Sequence, residues 1–169
     1  MRILHVIPSV SAAHGGPSQV LRVVTEALAT EGVKVDVLTT DDDGRGRRVV
    51  PLAVPVDEYG VTYRYFPRQT RFYRVSLPLA RWVWQRVGDY DVVHVHALFS
   101  FASVAAAVAA HHRKVPYIVR PLGVLNQWGR MNRRRHVKRL SLRFIDRPVL
   151  SHAAAIQWTS ELERSPRTH

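Results

Sequence analysis

The sequence predicts an α/β domain, built as a mostly parallel, doubly wound Rossmann-like sheet with helices on both faces. Short apolar, β-branched runs alternate with helical segments along the chain. The chain also begins with a strand, a glycine-containing loop and a helix, which is how a Rossmann-like domain begins. Its 169 residues, 46% of them hydrophobic, are enough for one hydrophobic core.

The first β-α-β unit occupies the first forty residues. A continuous apolar run predicts a buried strand at 2–7. An amphipathic helix follows, with Pro17 in its first turn and Gly32 at its carboxyl end. Residues 33–40 alternate between polar and apolar and then meet the acidic turn 41–44, which predicts a second strand.

The rest of the chain continues this alternation after a polar surface loop at 44–59. Strands are predicted at 61–66, 91–96, 116–120 and 153–158, and helices at 77–87, 101–112 and 130–151. Ligands of such sheets bind beyond the carboxyl ends of the strands. The loops 11–17, 96–101 and 121–128 should therefore share one rim of the sheet.

Four stretches in this order resemble the amino-terminal half of retaining GT-B glycosyltransferases, in the nucleotide-sugar-using class called family four. They are "HGGPSQVLRVVTEALATEGVKVDVLTT" after "ILHVIPS", then "YDVVHVHALFSF", "VPYIVRPLGVLNQW" and "HVKRLSLRFIDRPVLSHAAAIQWTSELE". The resemblance implies a two-domain enzyme with two Rossmann-like halves and an active site in the cleft between them. The amino-terminal half would receive the acceptor, and the other half would hold most of the nucleotide-sugar site.

This resemblance implies a glycosyltransferase amino-terminal domain at 1–163 and a tail or truncated hinge at 164–169. The implied reaction moves a sugar from a nucleotide-sugar to a polysaccharide or lipid-linked acceptor with retention of configuration. The second domain of the family is missing from these residues, so we expect the isolated chain to be inactive, and its catalytic residues are unknown. No tightly bound cofactor is expected; the nucleotide-sugar would be a substrate of the full-length parent.

Gly15 and Gly16 are the first candidates for substrate binding. Glycine lets a backbone approach a ligand closely, and a helix amino terminus offers free N–H groups to an anion. The pair lacks the Gly-x-Gly-x-x-Gly dinucleotide spacing, and such a pair alone is more often an ordinary turn. The resemblance favours a cleft loop near the donor phosphates and the acceptor.

His94 and His96 lie two residues apart on a predicted strand and so share one face. Such a pair can ligate a metal, but no third ligand with suitable spacing is visible in the sequence, and the resemblance implies chemistry that needs no metal. We therefore expect no metal. His96, nearer the strand end, is a candidate cleft residue, whereas His94 reads as a core histidine.

Arg120 ends the next predicted strand, where many members of the family carry a histidine. The Arg120-Pro121 pair resembles a subgroup that makes surface polysaccharides. A guanidinium suits a phosphate or carboxylate, so Arg120 could bind the acceptor or a donor phosphate, or it could pair with a nearby carboxylate of the chain. Asn126, in the loop that follows, is a further substrate-binding candidate.

A strongly basic run extends over 130–147 above an apolar helical stripe. Within it, Arg134, Lys138 and Arg139 are candidates for contact with an anionic lipid or a lipid-linked phosphate. A solvated charged face is the usual explanation of such a run, but the lipid-linked acceptors of the family favour contact with a membrane. The first alternative predicts peripheral contact with the inner face of a membrane.

Bulk properties narrow the function further. The chain has no cysteine and a net charge of +12, which predicts a cytoplasmic protein that favours phosphate-rich partners. A nucleic-acid-binding module is the main alternative, but no nucleic-acid recognition motif is present, so no nucleic-acid partner is expected. A nicotinamide-dependent dehydrogenase fits less well, because the first loop has the wrong glycine spacing.

Overall fold

The computed structural model of the protein describes residues 1–44, 46–71, 73–122 and 147–158. The helices are α1 (Gly16–Thr30), α2 (Leu77–Arg86), α3 (Phe101–His112) and α4 (Arg147–Ser151). The strands are β1 (Arg2–Val6), β2 (Lys34–Thr40), β3 (Asp42–Asp43), β4 (Gly46–Arg47), β5 (Pro55–Glu58), β6 (Val61–Phe66), β7 (Val92–His96), β8 (Tyr117–Arg120) and β9 (Ala155–Ile156).

Seven of the described strands form one sheet in the order β5-β6-β2-β1-β7-β8-β9. Every neighbouring pair is parallel except β5 and β6 at one edge. The chain runs outward from β1 to β2 and β6, and then crosses back to β7 on the other side of β1. This reversal is the topological switch of a doubly wound sheet, beside which ligands of such folds bind.

Helices cover both faces of the sheet. On one face, Leu21 of α1 packs in a cluster with Val37 and Tyr63. On the other face, α2 and α3 pack in a larger cluster that includes Leu4 and Val95. Neighbouring residues of a strand point to opposite faces, so β2 and β6 contribute to both clusters. The Rossmann-like, mostly parallel α/β fold predicted from the sequence is confirmed.

Local signals in the sequence set the ends of the helices. The Ser76 and Ser100 hydroxyls accept hydrogen bonds from backbone N–H groups in the first turns of α2 and α3. Gly32, just beyond α1, has a φ of 78°, the left-handed conformation that glycine supplies at a helix end.

Two predicted elements differ from the structure. The predicted surface loop at 44–59 contains β4 and β5. β5 was missed because its sequence Pro-Val-Asp-Glu carries one apolar side chain besides proline. The predicted strand 153–158 is shorter, at Ala155–Ile156. Of the predicted helix 130–151, the described part is α4. No helix among the described residues is long and apolar enough to cross a membrane.

Candidate functional site

The carboxyl edge of the sheet brings three sequence-predicted candidates to neighbouring strands. Gly15 lies on the loop after β1, and His96 and Arg120 are the last residues of β7 and β8. These strands are adjacent and parallel, in the order β1-β7-β8, and His96 stands opposite Arg120 in the register. The predicted loops 11–17 and 96–101 therefore share one rim beside the topological switch, whereas residues 123–128 of the third predicted loop lie outside the described residues.

Gly15 and Gly16 play different roles in the loop. Gly15 has φ 74° and ψ −145°, a combination essentially restricted to glycine. Gly16 has no such constraint. A Cβ built on Gly16 would meet no atom within 4 Å, so the chain itself does not require glycine there. Both residues are exposed.

Gly16 is also the first residue of α1, and no described side chain caps this helix end. The first N–H groups of a helix have no partner inside the helix and carry partial positive charge. Pro17 contributes no N–H, so the neighbouring residues supply the donors. The start of α1 thus has exposed backbone N–H groups with partial positive charge. The space beside them is open, because Gly16 has no side chain.

The buried carboxylate of Asp42 holds the loop before α1 in place. Asp42, on β3, is 2% exposed. Its Oδ2 lies 2.8 Å from Nε2 of His14 and accepts a hydrogen bond of 2.7 Å from Nε of Arg74. Its other oxygen accepts from the buried guanidinium of Arg68. Three separate segments of the chain therefore meet at Asp42.

Further contacts hold the same loop against β3. The Ser9 hydroxyl donates to the backbone carbonyl of Asp42 at 2.8 Å, and the Ser11 hydroxyl donates to the Asp43 carboxylate at 2.6 Å. A Cβ on Gly44 would lie 3.1 Å from the Cβ of Ala13, so the backbones approach closely. The loop before α1 is thereby held in place.

The environment of Asp42 changes its acidity. Burial by itself would raise the pKa of Asp42, but the hydrogen bond with His14 and the charges of Arg74 and Arg68 outweigh burial and lower this pKa. Asp42 is therefore a carboxylate at neutral pH. This arrangement was missed from the sequence, where the run of aspartates at a strand end predicted only a turn.

Three histidines form a second cluster on the face of the sheet. His5 of β1 stands opposite His94 of β7 in the register, and His96 lies two residues further along the same face. The ring centroids are 4.2 Å apart for His94 and His96, 5.0 Å for His5 and His94, and 5.2 Å for His5 and His96. Nδ1 of His5 and Nε2 of His96 are 2.9 Å apart.

Burial keeps these imidazoles neutral. It lowers the pKa of His5 to about 3, with a further contribution from His94. For His94, burial and the charge of Arg120 lower the pKa to about 4, although Gln157 acts in the opposite direction. The pKa of His96 is lowered well below its usual value, mainly by burial.

The cluster revises the expected environments of the two β7 histidines. His96 is 2% exposed, so it is the more buried of the pair, and His94 is half-buried. His5 was missed from the sequence. It stands alone in its own strand, and its proximity to His94 depends on the pairing of β1 with β7, which local patterns do not reveal.

Arg120 lies on the same face and is half-buried. Among the described residues, no carboxylate forms an ion pair with Arg120, and its buried Nε has no hydrogen-bond partner. Of the two alternatives left open by the sequence, the internal pair thus finds no support in the described chain. The other candidates, Asn126, Arg134, Lys138 and Arg139, lie outside the described residues.

Comparison with known families identifies the family of this domain. A family model described as a glycosyl transferase 4-like domain matches residues 15–166, which is most of the chain. The chain belongs to this glycosyl transferase 4-like family. No curated protein matches the sequence.

Solved structures share the fold of this glycosyl transferase 4-like domain. A candidate UDP-N-acetylglucosamine 2-epimerase from Listeria monocytogenes superposes with a TM-score of 0.58 at 11% identity, over 96% of this chain and 39% of that one. HepE from Anabaena, solved in complex with UDP and glucose, superposes with a TM-score of 0.58 at 16% identity, over 92% and 37%. The chain therefore spans less than two fifths of each of these structures.

Proposed function

We propose that this domain is the acceptor-side half of a glycosyltransferase that moves a sugar from a nucleotide-sugar to a polysaccharide or lipid-linked acceptor with retention of configuration. Membership of the glycosyl transferase 4-like family supports the transfer of a sugar. HepE, which is similar in fold, was solved with UDP and glucose, in keeping with a nucleotide-sugar donor.

The observation that carries the proposal is the open, uncapped start of α1 at Gly16. The chain has no need of glycine at this exposed position, because a Cβ there would meet nothing within 4 Å. A glycine with no internal reason points to a ligand that approaches the backbone. Free N–H groups at a helix start suit a phosphate, whose negative charge grows as the sugar–phosphate bond breaks.

Arg120 supplies the second group. Its guanidinium has no carboxylate partner among the described residues and lies at the strand end next to His96. We assign Arg120 to an anionic part of the acceptor or to a donor phosphate, for which its planar donors are suited. His96 is buried, and in this proposal it supports the rim from beneath.

A second α/β domain would supply the rest of the nucleotide-sugar site. We therefore propose that the 169 residues alone transfer no sugar, and that the reaction occurs on the cytoplasmic side, with an acceptor that a membrane can carry. Contact of Arg134, Lys138 and Arg139 with anionic lipid remains part of this proposal.

Amide chemical shifts of the 15N-labelled chain would test it. We would titrate the chain with UDP-glucose, GDP-mannose and a short-chain polyprenyl diphosphate sugar, and compare it with Gly16→Val. The proposal expects shifts at Gly15, Gly16 and the ends of β7 and β8, which Gly16→Val suppresses. Shifts confined to other surfaces, or none with any probe, would contradict it.

Two further experiments test the proposed inactivity of the isolated chain and the competing nucleic-acid-binding function. Sugar transfer by the isolated chain, measured as release of nucleoside diphosphate, would refute the proposed inactivity. The net charge of +12 supports a competing role as a nucleic-acid-binding module. Fluorescence anisotropy with DNA and RNA oligonucleotides at rising salt would reveal it as a tight affinity that falls steeply with salt concentration.

A further inference from the structure

We propose that His5, His94 and His96 bind a divalent transition metal ion of the zinc, cobalt or nickel class. The proposed transferase role requires no metal, so this inference stands apart from it. The cluster draws on two adjacent strands of the rigid central sheet, not on a mobile loop.

The geometry brings three imidazole nitrogens together. Each histidine offers one ring nitrogen, and these three atoms all lie within 4.8 Å of one another. Nitrogens bound to one zinc ion lie about 2.0 to 2.1 Å from it, and hence within about 4.2 Å of one another. Metal binding would therefore draw these atoms closer together than they lie in the unbound cluster.

Unpartnered nitrogen atoms give the second observation. Nε2 of His5 and Nε2 of His94 are buried and have no hydrogen-bond partner among the described residues. A buried polar atom without a partner costs about 1 to 3 kcal/mol. A metal ion would supply partners for such nitrogens, since neutral imidazole is a good ligand for zinc, cobalt and nickel.

Three histidine ligands leave one coordination position open on a four-coordinate metal ion. The charge of Arg120 contributes to the lowered pKa of His94 and of His96. The same positive charge repels a metal cation bound at the cluster. The same charge favours an anion, such as hydroxide or a carboxylate, as the fourth ligand.

Cobalt titration of the full, untagged chain tests the proposal, because four-coordinate Co²⁺ gives intense visible absorption. We expect one Co²⁺ per chain. His94→Gln should weaken binding by at least about tenfold, and Arg120→Gln should strengthen it by removing the opposing charge. The matched control is His152→Gln, since His111 and His152 form a surface pair with ring centroids 4.3 Å apart.

The outcomes are distinct. Cobalt binding that His94→Gln abolishes and His152→Gln leaves intact supports the site. Binding that only His152→Gln abolishes, or no four-coordinate absorption with Co²⁺ in large excess, overturns it. If His94→Gln fails to fold, X-ray absorption of the zinc-loaded natural chain decides: three imidazole ligands support the proposal, and fewer overturn it.

Discussion

Nε2 of His14 lies 2.8 Å from Oδ2 of Asp42, and this contact joins the loop before α1 to the strand end beyond β2. The carboxylate is almost wholly buried, whereas His14 is partly exposed. An exposed, glycine-rich loop is thus fixed from beneath by a charge that also holds Arg68 and Arg74. Asp42 thus helps to hold the loop before α1, together with the contacts of Ser9 and Ser11.

Asp42→Asn should lower the free energy of unfolding by about 3 kcal/mol, because it leaves the buried charge of Arg68 without its counterion. Urea denaturation would measure this loss. Asp89→Asn is the control, since Asp89 is 49% exposed and pairs with Arg86 at 3.7 Å; it should change the stability by less than about 0.5 kcal/mol. Equal effects of the two substitutions would show that Asp42 is not the anchor.

The same carboxylate predicts a dependence of stability on pH. The pKa of Asp42 is lowered from its usual 3.8 in the folded chain, so its stabilising contribution is complete above about pH 4. As the pH falls below this value, the unfolded chain takes up the proton first, and the contribution is lost. Urea midpoints from about pH 6 to pH 3 should fall less for Asp42→Asn than for the natural chain. If the urea midpoints of the two proteins fell equally with pH, the ionised Asp42 carboxylate would not be the source of this stability.

Gly15→Ala should destabilise the chain, whereas Gly16→Ala should not. Gly15→Ala forces a Cβ into a conformation essentially reserved for glycine, at a cost of about 2 kcal/mol. Gly16→Ala meets open space and restricts the unfolded chain, so it should be neutral or stabilise by up to about 1 kcal/mol. Thermal melting of both variants would measure this. A marked loss with Gly16→Ala would mean that the chain itself requires glycine there.

Tyr117→Phe should loosen the attachment of α4 and β9 to the sheet. The Tyr117 hydroxyl donates a hydrogen bond of 2.6 Å to the carbonyl of Val149, and its loss leaves a buried acceptor unpaired, at a cost of about 1 kcal/mol or more. Hydrogen exchange at the Ala154 and Gln157 amides, which bond to β8, should become faster. Tyr59→Phe, at a side chain 78% exposed, should leave those rates unchanged.

Local patterns in the sequence were enough for most of the secondary structure. The helix predicted at 101–112 and the strand predicted at 61–66 have the same bounds in the structure. Apolar spacing and capping residues act over a few positions, and both can be read directly from the chain. The carboxyl rim also followed, because parallel strands end at the same edge of a sheet.

Contacts between distant segments could not be predicted in this way. His5 meets His94 and His96 only because β7 pairs with β1 across ninety positions of sequence. Asp42 contacts His14, Arg68 and Arg74 only because three loops meet at one edge of the sheet. The sequence determined the fold class, the glycine loop and the rim, because those depend on local periodicity and parallel order. Tertiary structure alone decided which buried polar groups contact one another, because those contacts depend on strand register and loop packing.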